Sequence, residues 1–312
     1  MKAIVCDKQG KTWKLVYQDV PKPILKDNEV LIHAKASSIN AADYRSLSYG
    51  MIPKRKIFGA DVSGIIEAVG PKCTKFNVGD TVFGDLSESG FGALAEYAVA
   101  KEKSIIIKPD HMSFSVAASI PMAGITALHG IRDAGKIKPH QKVLIYGSGG
   151  GVGTFAVQLA RYYQAHITTV SGPHNIHLMR ELGVDDAIDY QNDDFMQKLG
   201  QYDLILAVNG HQKLRTYKKM LNKHGRLVVI GGSIAQIMKA MLFGKFLSIG
   251  HKKVVLLKSK VNQKDLSFLA DLVKNKHLKP VIDKKVKLDE VTSSFDELSK
   301  VHAKGKLVVE ID

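Results

Sequence analysis

The chain has 312 residues, of which 45% are apolar and 24% charged, and carries a formal net charge of +15. Such a length exceeds one ordinary core and suits two domains, and the balance excludes a disordered or fibrous chain. The two cysteines, Cys6 and Cys73, make neither a disulfide framework nor a four-ligand zinc cluster.

No apolar run reaches the length of a membrane span, and the residues after Met1 lack a signal peptide's apolar region. The expected setting is reducing and cytoplasmic. The lysines are spread along the chain, and clusters such as Lys252-Lys253 and Lys284-Lys285 are short, with no interleaved aromatic set. A solvated surface and an anionic cofactor account for them better than a nucleic-acid partner does.

From residue 1 to about 115 the sequence reads as short β-runs, among them 30–34 and 62–70, with turns at Gly79-Asp80 and Pro109-Asp110. Near Ser115 the pattern changes, and a helix is expected from about Val116. Strands at 142–146, 166–170, 203–208 and 226–230 then alternate with helices at 152–163 and 175–182. These strands lack polar alternation, as in a buried parallel sheet with helices on both faces. From about Lys258 a helix at 265–274 and strands at 279–283 and 306–311 are expected. The tail strands would pair with the first module, which is then discontinuous. The expected domains are 1–117 with 258–312, and 118–257.

The segment Tyr146-Gly147-Ser148-Gly149-Gly150-Gly151-Val152-Gly153 follows a buried strand and opens a helix, the context a dinucleotide fingerprint needs. Glycines let the backbone approach a pyrophosphate, and the helix start favours its charge. In the matching frame Ser148 takes the place of the first glycine, with Gly150 and Gly153 in the other two. A ligand-free strand-to-helix turn would carry similar glycines, but the alternating elements downstream favour the cofactor. An NAD site would show an acid about twenty residues on. Here the second strand ends in Ser171-Gly172-Pro173-His174-Asn175, without one. Ser171, His174 and Asn175 could hydrogen-bond a 2′-phosphate that a carboxylate would repel, so NADPH is expected over NADH.

Further segments carry a family resemblance. They are Asn40-Ala41-Ala42-Asp43-Tyr44-Arg45, the strand-turn from Gly59-Ala60-Asp61 to Val69-Gly70, Gly92-Ala93-Leu94-Ala95-Glu96-Tyr97, Gly124-Ile125-Thr126-Ala127, Leu182-Gly183-Val184-Asp185, and Ala303-Lys304-Gly305-Lys306-Leu307-Val308. In order and spacing the chain resembles the zinc-independent medium-chain dehydrogenase/reductases, in their quinone oxidoreductase and enone (alkenal) reductase group. The resemblance implies an α/β fold: a GroES-like β-rich catalytic domain and a Rossmann cofactor domain with a doubly wound parallel sheet. It also implies an active site in a cleft between them, NADPH as hydride donor, a small carbonyl or quinone substrate, and a homodimer.

Residue by residue, the resemblance puts Asn40 near the nicotinamide and Arg45 where enone reductases carry Lys. Tyr49 is a candidate proton donor, although its spacing departs from that of enoyl reductases. The cofactor set is Thr126, Ser148, Gly149, Gly150, Gly151, Val152, Gly153, Ser171, Gly172, His174, Asn175, Tyr190, Ile230, Gly231, Gly232, Lys304 and Lys306. His174 stands in place of a family Arg, and Asn209 in place of a family Asp. Zinc-dependent relatives place Cys and His-Glu where this chain has the Asn40 segment and Ala60-Asp61. No metal is therefore expected, because a catalytic zinc needs about three N, S or carboxylate ligands. Two alternatives stand beside this reading: an enoyl-thioester reductase, and a non-catalytic NADPH-binding or RNA-binding regulatory protein.

Overall fold

The computed structural model describes residues 1–10, 12–210, 212–232, 234–248, 250–300 and 304–312. Ala303, the first residue of the C-terminal motif, lies outside them. Fifteen strands occur among the described residues. In the first part of the chain β1 (Lys2–Gln9), β2 (Thr12–Asp19), β3 (Glu29–Ile39), β4 (Asp61–Val69), β5 (Thr81–Asp85), β6 (Tyr97–Lys101) and β7 (Ile105–Ile107) follow one another. Next come β8 (Lys142–Tyr146), β9 (His166–Ser171), β10 (Asp186–Asp189), β11 (Tyr202–Ala207), β12 (Leu221–Val229) and β13 (Lys253–Leu256). The tail supplies β14 (Ile282–Lys287) and β15 (Lys306–Glu310).

Two compact units divide the chain. One comprises Met1–Ala123, Val261–Asn275 and Ile282–Asp312; the other comprises Gly124–Lys260 and Lys276–Val281. The short segment 276–281 joins the second unit because Gln158 clamps it. The Lys279 amide donates to Gln158 Oε1 at 2.7 Å, and Gln158 Nε2 donates to the Lys279 carbonyl at 3.0 Å.

In the first unit, β1 and β2 form an antiparallel hairpin. The main sheet runs β14-β15-β3-β4-β5-β7. β3 organises it: one edge pairs with β4, and the other is divided between β6, opposite residues 29–33, and β15, opposite residues 36–39. Its side chains are almost all buried, so both faces of the strand are covered and the run lacks strict alternation. Val286, Leu288, Leu307 and Val309 from the tail pack into the same core as Ile4, Val30, Ile32 and Ile66. The tail thus completes a core that the first hundred residues begin.

The second unit holds six parallel strands in the order β10-β9-β8-β11-β12-β13. Numbered within the sheet this is 3-2-1-4-5-6, the doubly wound Rossmann order. Leu204, Ile205, Leu206 and Ala207 of β11 are fully buried. The helix Gly151–Tyr162 lays Phe155, Ala156, Val157, Leu159 and Ala160 inward. The direction of winding reverses between β8 and β11, and such sheets bind ligands beyond the carboxyl ends of the strands at that point.

The β3–β4 ladder shifts register near Ala34, opposite Gly64. A β-carbon at Gly64 would collide with the His33 carbonyl and approach Ala34 Cα to 2.9 Å. Gly64→Ala is therefore expected to lower stability by about 1–3 kcal/mol, as overpacking a core does. Urea denaturation of the full chain reads this, and an unchanged midpoint would contradict it.

Candidate functional site

In the second unit the site is built on strand ends. β8 stops at Tyr146, and Gly147 turns the chain with a φ of 84°, closed by hydrogen bonds from the Gly147 and Ser148 amides to the Val170 carbonyl at 2.9 and 3.3 Å. Ser148 is buried, and its hydroxyl also faces Val170 O, at 3.5 Å. A side chain in the first-glycine position is therefore accommodated against β9. Gly150 caps the helix Gly151–Tyr162 in an extended conformation, with open space where a β-carbon would stand. A β-carbon at Gly153 would collide with the Ser148 carbonyl, so helix and loop meet there with no room for a side chain. These are the roles the fingerprint glycines require: close approach by a pyrophosphate and tight packing of helix on strand.

Beside this loop, Ser171, Gly172, Asn175 and Tyr190 come together. A β-carbon at Gly149 would strike the Asn175 carboxamide, and one at Gly172 would lie 3.2 Å from the Tyr190 hydroxyl. The Tyr190 amide donates to the Ser171 carbonyl at 3.1 Å. Ser171 Oγ and Asn175 Oδ1 are buried with no hydrogen-bond partner among the described residues. Buried polar atoms left in this way are costly unless something satisfies them. Asp189, in register with Ser171 on the next strand, spends Oδ1 on the Gln191 amide at 2.9 Å. His174 is exposed, one residue from Asn175. Glycine cradle and unsatisfied polar atoms together fit a dinucleotide.

The other predicted residues of this unit are Thr126, half-buried on the helix Pro121–Leu128, and Ile230, Gly231 and Gly232, which follow β12. Gly232 has a φ of 135° and bridges to Gly210, which follows β11. The segment therefore sits at the carboxyl edge of the sheet, across the switch point from the glycine loop.

In the first unit Asn40 caps the helix Ala41–Ser48 and is 8% exposed. Its side chain belongs to a buried network. Lys306 Nζ, 3% exposed, donates to Asn40 Oδ1 at 2.6 Å, to Asp61 Oδ2 at 3.2 Å and to the Ile39 carbonyl at 3.4 Å. Asp61 Oδ2 also accepts from Asn40 Nδ2 at 2.9 Å and Ser38 Oγ at 2.6 Å, while Oδ1 accepts from the Met122 amide at 2.8 Å. Asp43 reaches back from the first helical turn to accept from the Asn40 amide at 2.8 Å, and from Gly59 N at 3.3 Å. Burial drives the Asp43 carboxyl up to about 7, with the negative Asp61 adding to the effect against the two amide donors and Lys306. Asp85, opposite Asp61 on β5, is raised to about 6, first by burial and then by Asp61.

Of the three residues expected to act in catalysis, Asn40 and Tyr49 stand at opposite ends of the helix Ala41–Ser48, with Arg45 between them. Arg45 lies half-buried in mid-helix, its guanidinium 6.0 Å from the Tyr44 ring. Tyr49 is 51% exposed at the helix C-cap, nine residues and about 13 Å of helical rise from Asn40. Lys304 is exposed, with its amide donating to Asp283 Oδ2 at 2.9 Å. Lys306 turns its ammonium inward. The residues that hold Asn40 in place, Asp61 and Lys306, stand 245 positions apart. The sequence offered only their presence in separate motifs.

Zinc chemistry does not fit the Asn40–Asp61 pair. The Asp61 carboxylate is already held by Ser38, Asn40 and Lys306, a cation lies 3.2 Å from it, and Asn40 itself offers no thiolate or imidazole. Catalytic zinc takes about three such ligands around an open position. Burial pushes the Cys6 thiol up to about 12, away from the thiolate that a metal takes.

A Rossmann sheet with a fitted dinucleotide cradle, joined in one chain to a discontinuous β-rich unit, defines a dinucleotide-dependent oxidoreductase. Residues 26–110 match the family model for the alcohol dehydrogenase GroES-like domain, and residues 182–309 match that for zinc-binding dehydrogenases. A chloroplastic quinone oxidoreductase of Triphysaria versicolor is 32% identical, over 95% of this chain and 94% of its own length. A chloroplastic NADPH-dependent alkenal/one oxidoreductase of Arabidopsis thaliana is 28% identical, over 92% and 73%. The structure of the quinone oxidoreductase from Coxiella burnetii superposes with a TM-score of 0.89 at 29% identity, covering 100% of this chain and 99% of that one. The chain belongs to the medium-chain dehydrogenase/reductase superfamily, in its quinone oxidoreductase and alkenal/one oxidoreductase group. Its fold is the expected GroES-like and Rossmann pair, and its activity class is NAD(P)H-dependent oxidoreductase.

The raised Asp43 carboxyl has a sign that can be checked. Its folded pKa of about 7 exceeds the unfolded value of about 3.9, so the native chain binds this proton more tightly. The contribution to stability is fully present below the unfolded pKa and is lost as pH rises through about 7, a change on the order of a few kcal/mol. Denaturation across that window should show a shallower pH slope for Asp43→Asn than for the unsubstituted chain. Equal slopes would contradict the assignment.

Proposed function

We propose that the chain reduces a quinone or an α,β-unsaturated carbonyl with NADPH, without zinc. The observation that carries the cofactor choice is the acid-free segment after β9, where the buried Ser171 hydroxyl lacks a partner among the described residues. A 2′-phosphate carries strong acceptors and negative charge. The Ser171 hydroxyl and the Asn175 amide can donate to it, and the exposed His174 adds a cation when protonated. Gly149 to Gly153 and Gly172 would take the diphosphate, Tyr190 would flank the adenosine, and Thr126 with Ile230, Gly231 and Gly232 would border the nicotinamide half. Lys304 is assigned to the same cofactor set. A homodimer and a cytoplasmic setting belong to this reading.

The chemistry that NADPH supplies when bound is hydride, for addition to the β-carbon of an enone or to a quinone. The protein's part is to orient the reactants and to stabilise negative charge on the acceptor oxygen. Asn40 retains one side-chain N–H beyond the one given to Asp61. Lys306 fixes the opposite end of the carboxamide and so acts as a positioning residue. Arg45 supplies a permanent cation on the adjacent helix. The substrate class is supported by the relatives named as quinone and alkenal/one oxidoreductases. An enoyl-thioester reductase would need a proton donor at the site, and Tyr49 at the exposed helix end is not arranged beside Asn40.

NADPH is expected to bind at least tenfold more tightly than NADH. Ser171→Asp should erase or reverse that preference, because its carboxylate would face the phosphate. Titration of intrinsic fluorescence with each cofactor measures both, and equal constants in the unsubstituted chain would sink the reading. NADPH oxidation against a panel of enones and quinones tests the activity; tight binding with no acceptor turned over would assign a binding protein instead.

Arg45→Ala is expected to lower kcat/KM about tenfold or more, the scale of losing one charged contact. Unchanged kinetics would return Arg45 to the polar face of its helix.

A further inference from the structure

The lysines are spread along the chain, but the acids are not. Residues 204–264 contain eleven lysines and two arginines and no Asp or Glu. This stretch therefore carries 13 of the chain's net +15. It spans β11 to β13 in the second unit and runs on into the start of the helix Gln263–Lys274 of the first.

Within it lies the helix Ile234–Leu247. Among the described residues its inner side carries two small ones: Ala240 is buried, and a β-carbon at Gly244 would lie 3.6 Å from the Val254 carbonyl of β13. Ser248, just past the helix, ties it down by donating to the Gly244 carbonyl at 2.7 Å and accepting from the Val254 amide at 2.9 Å. Its outer side carries Met238, Met241 and Leu242, which are 43%, 57% and 57% exposed. Their spacing of three and four residues puts them on one stripe. Lys239 is exposed beside them. The helix packs against β13 and against the helix Leu214–Lys219, whose exposed cations include Arg215 and Lys219. Lys252 bonds across to the Lys218 carbonyl at 3.1 Å, and Lys253 is exposed on β13.

An apolar stripe ringed by cations, with no acid in the surrounding sequence, has the chemistry of a surface that rests on anionic lipid. We propose that this face docks the protein peripherally on an anionic phospholipid bilayer, with Met238, Met241 and Leu242 entering the acyl boundary and the lysines meeting headgroup phosphates. Among the described residues no helix is long and apolar enough to cross a membrane, so the association is superficial. Charge argues against a second copy on this face, because two such faces would bring like charges together. Single-stranded nucleic acid prefers exposed aromatic platforms, whereas the exposed apolar groups of this helix among the described residues are two thioethers and a leucine, and Tyr217 of the neighbouring helix is buried.

The test is co-sedimentation of the full chain with vesicles of phosphatidylcholine containing phosphatidylglycerol, against phosphatidylcholine alone. Binding is expected only to the anionic vesicles and is expected to fall as salt is raised. Met241→Asp with Leu242→Asp, and separately Lys239→Glu with Lys253→Glu, should each weaken it about tenfold or more. NADPH oxidation with a water-soluble quinone should be unchanged in both variants, and their melting curves should match the parent. Vesicle binding needs no turnover, so it stands or falls apart from the activity proposed above. Equal binding to both vesicle types, or none, overturns the proposal. It is also overturned if the Met241/Leu242 variant loses a dimer in sedimentation velocity while still binding vesicles, or if a single-stranded oligonucleotide displaces the vesicles and its own binding depends on the same residues.

Discussion

A lysine ammonium sealed inside the β-rich unit is expensive, because taking a charge out of water costs several kcal/mol even after relaxation. Lys306 is held there because Asp61, Asn40 and the Ile39 carbonyl all meet its ammonium. Ser38 and the Met122 amide then satisfy the rest of the Asp61 carboxylate. Removing either charged partner would leave the other buried alone, which is the costly outcome for such pairs. The network therefore fixes several things at once: the place of β15 beside β3, the start of the helix after Asn40, and the orientation of the Asn40 carboxamide. Asp43 and Asp85 carry the electrostatic consequence, being pushed toward the protonated form by burial beside the same charge.

The second unit reaches its site by a different route. Strand order and glycine placement do most of it, since the backbone itself must come close to the ligand. Gly153 is excluded from bearing a side chain by the Ser148 carbonyl, and Gly149 by Asn175. Ser148 departs from the usual glycine without disturbing the turn, because its side chain lies buried against Val170. One unit thus shapes its site through buried charge and the other through the absence of side chains.

These differences decide what could be read from sequence. β8, β11 and the loop at 147–153 were legible, because a continuous apolar strand followed by glycines has few other meanings. The cradle of Ser171, Gly172, Asn175 and Tyr190 followed from its place after β9 and β10. The tie between Asp61 and Lys306 left no trace in periodicity, since neither residue signals its partner. The tail strand expected at 279–283 lies at Ile282–Lys287 instead. Only Val286 of that strand is buried, so its hydrophobic pattern is thin. The helix Ile234–Leu247 gives no clear signal in the sequence, because apolar residues on nearly all its sides obscure any one face. Summed charge also concealed more than it told: the informative quantity was where acids are missing, not how many lysines there are.

The position of β15 in the sheet bears on how the chain is made. The strand nearest the C-terminus is an interior one, lying between β14 and β3. On a ribosome, β3 and β4 emerge early, but β3 must wait for β15 before half of one edge is paired. Until then Asp61 has no buried cation, and the exposed edge of β3 is open to incorrect partners. The six parallel strands of the other unit have emerged well before that point. Synthesis from the N-terminus therefore allows the cofactor-binding unit to settle first, while the unit that begins the chain is the last to close.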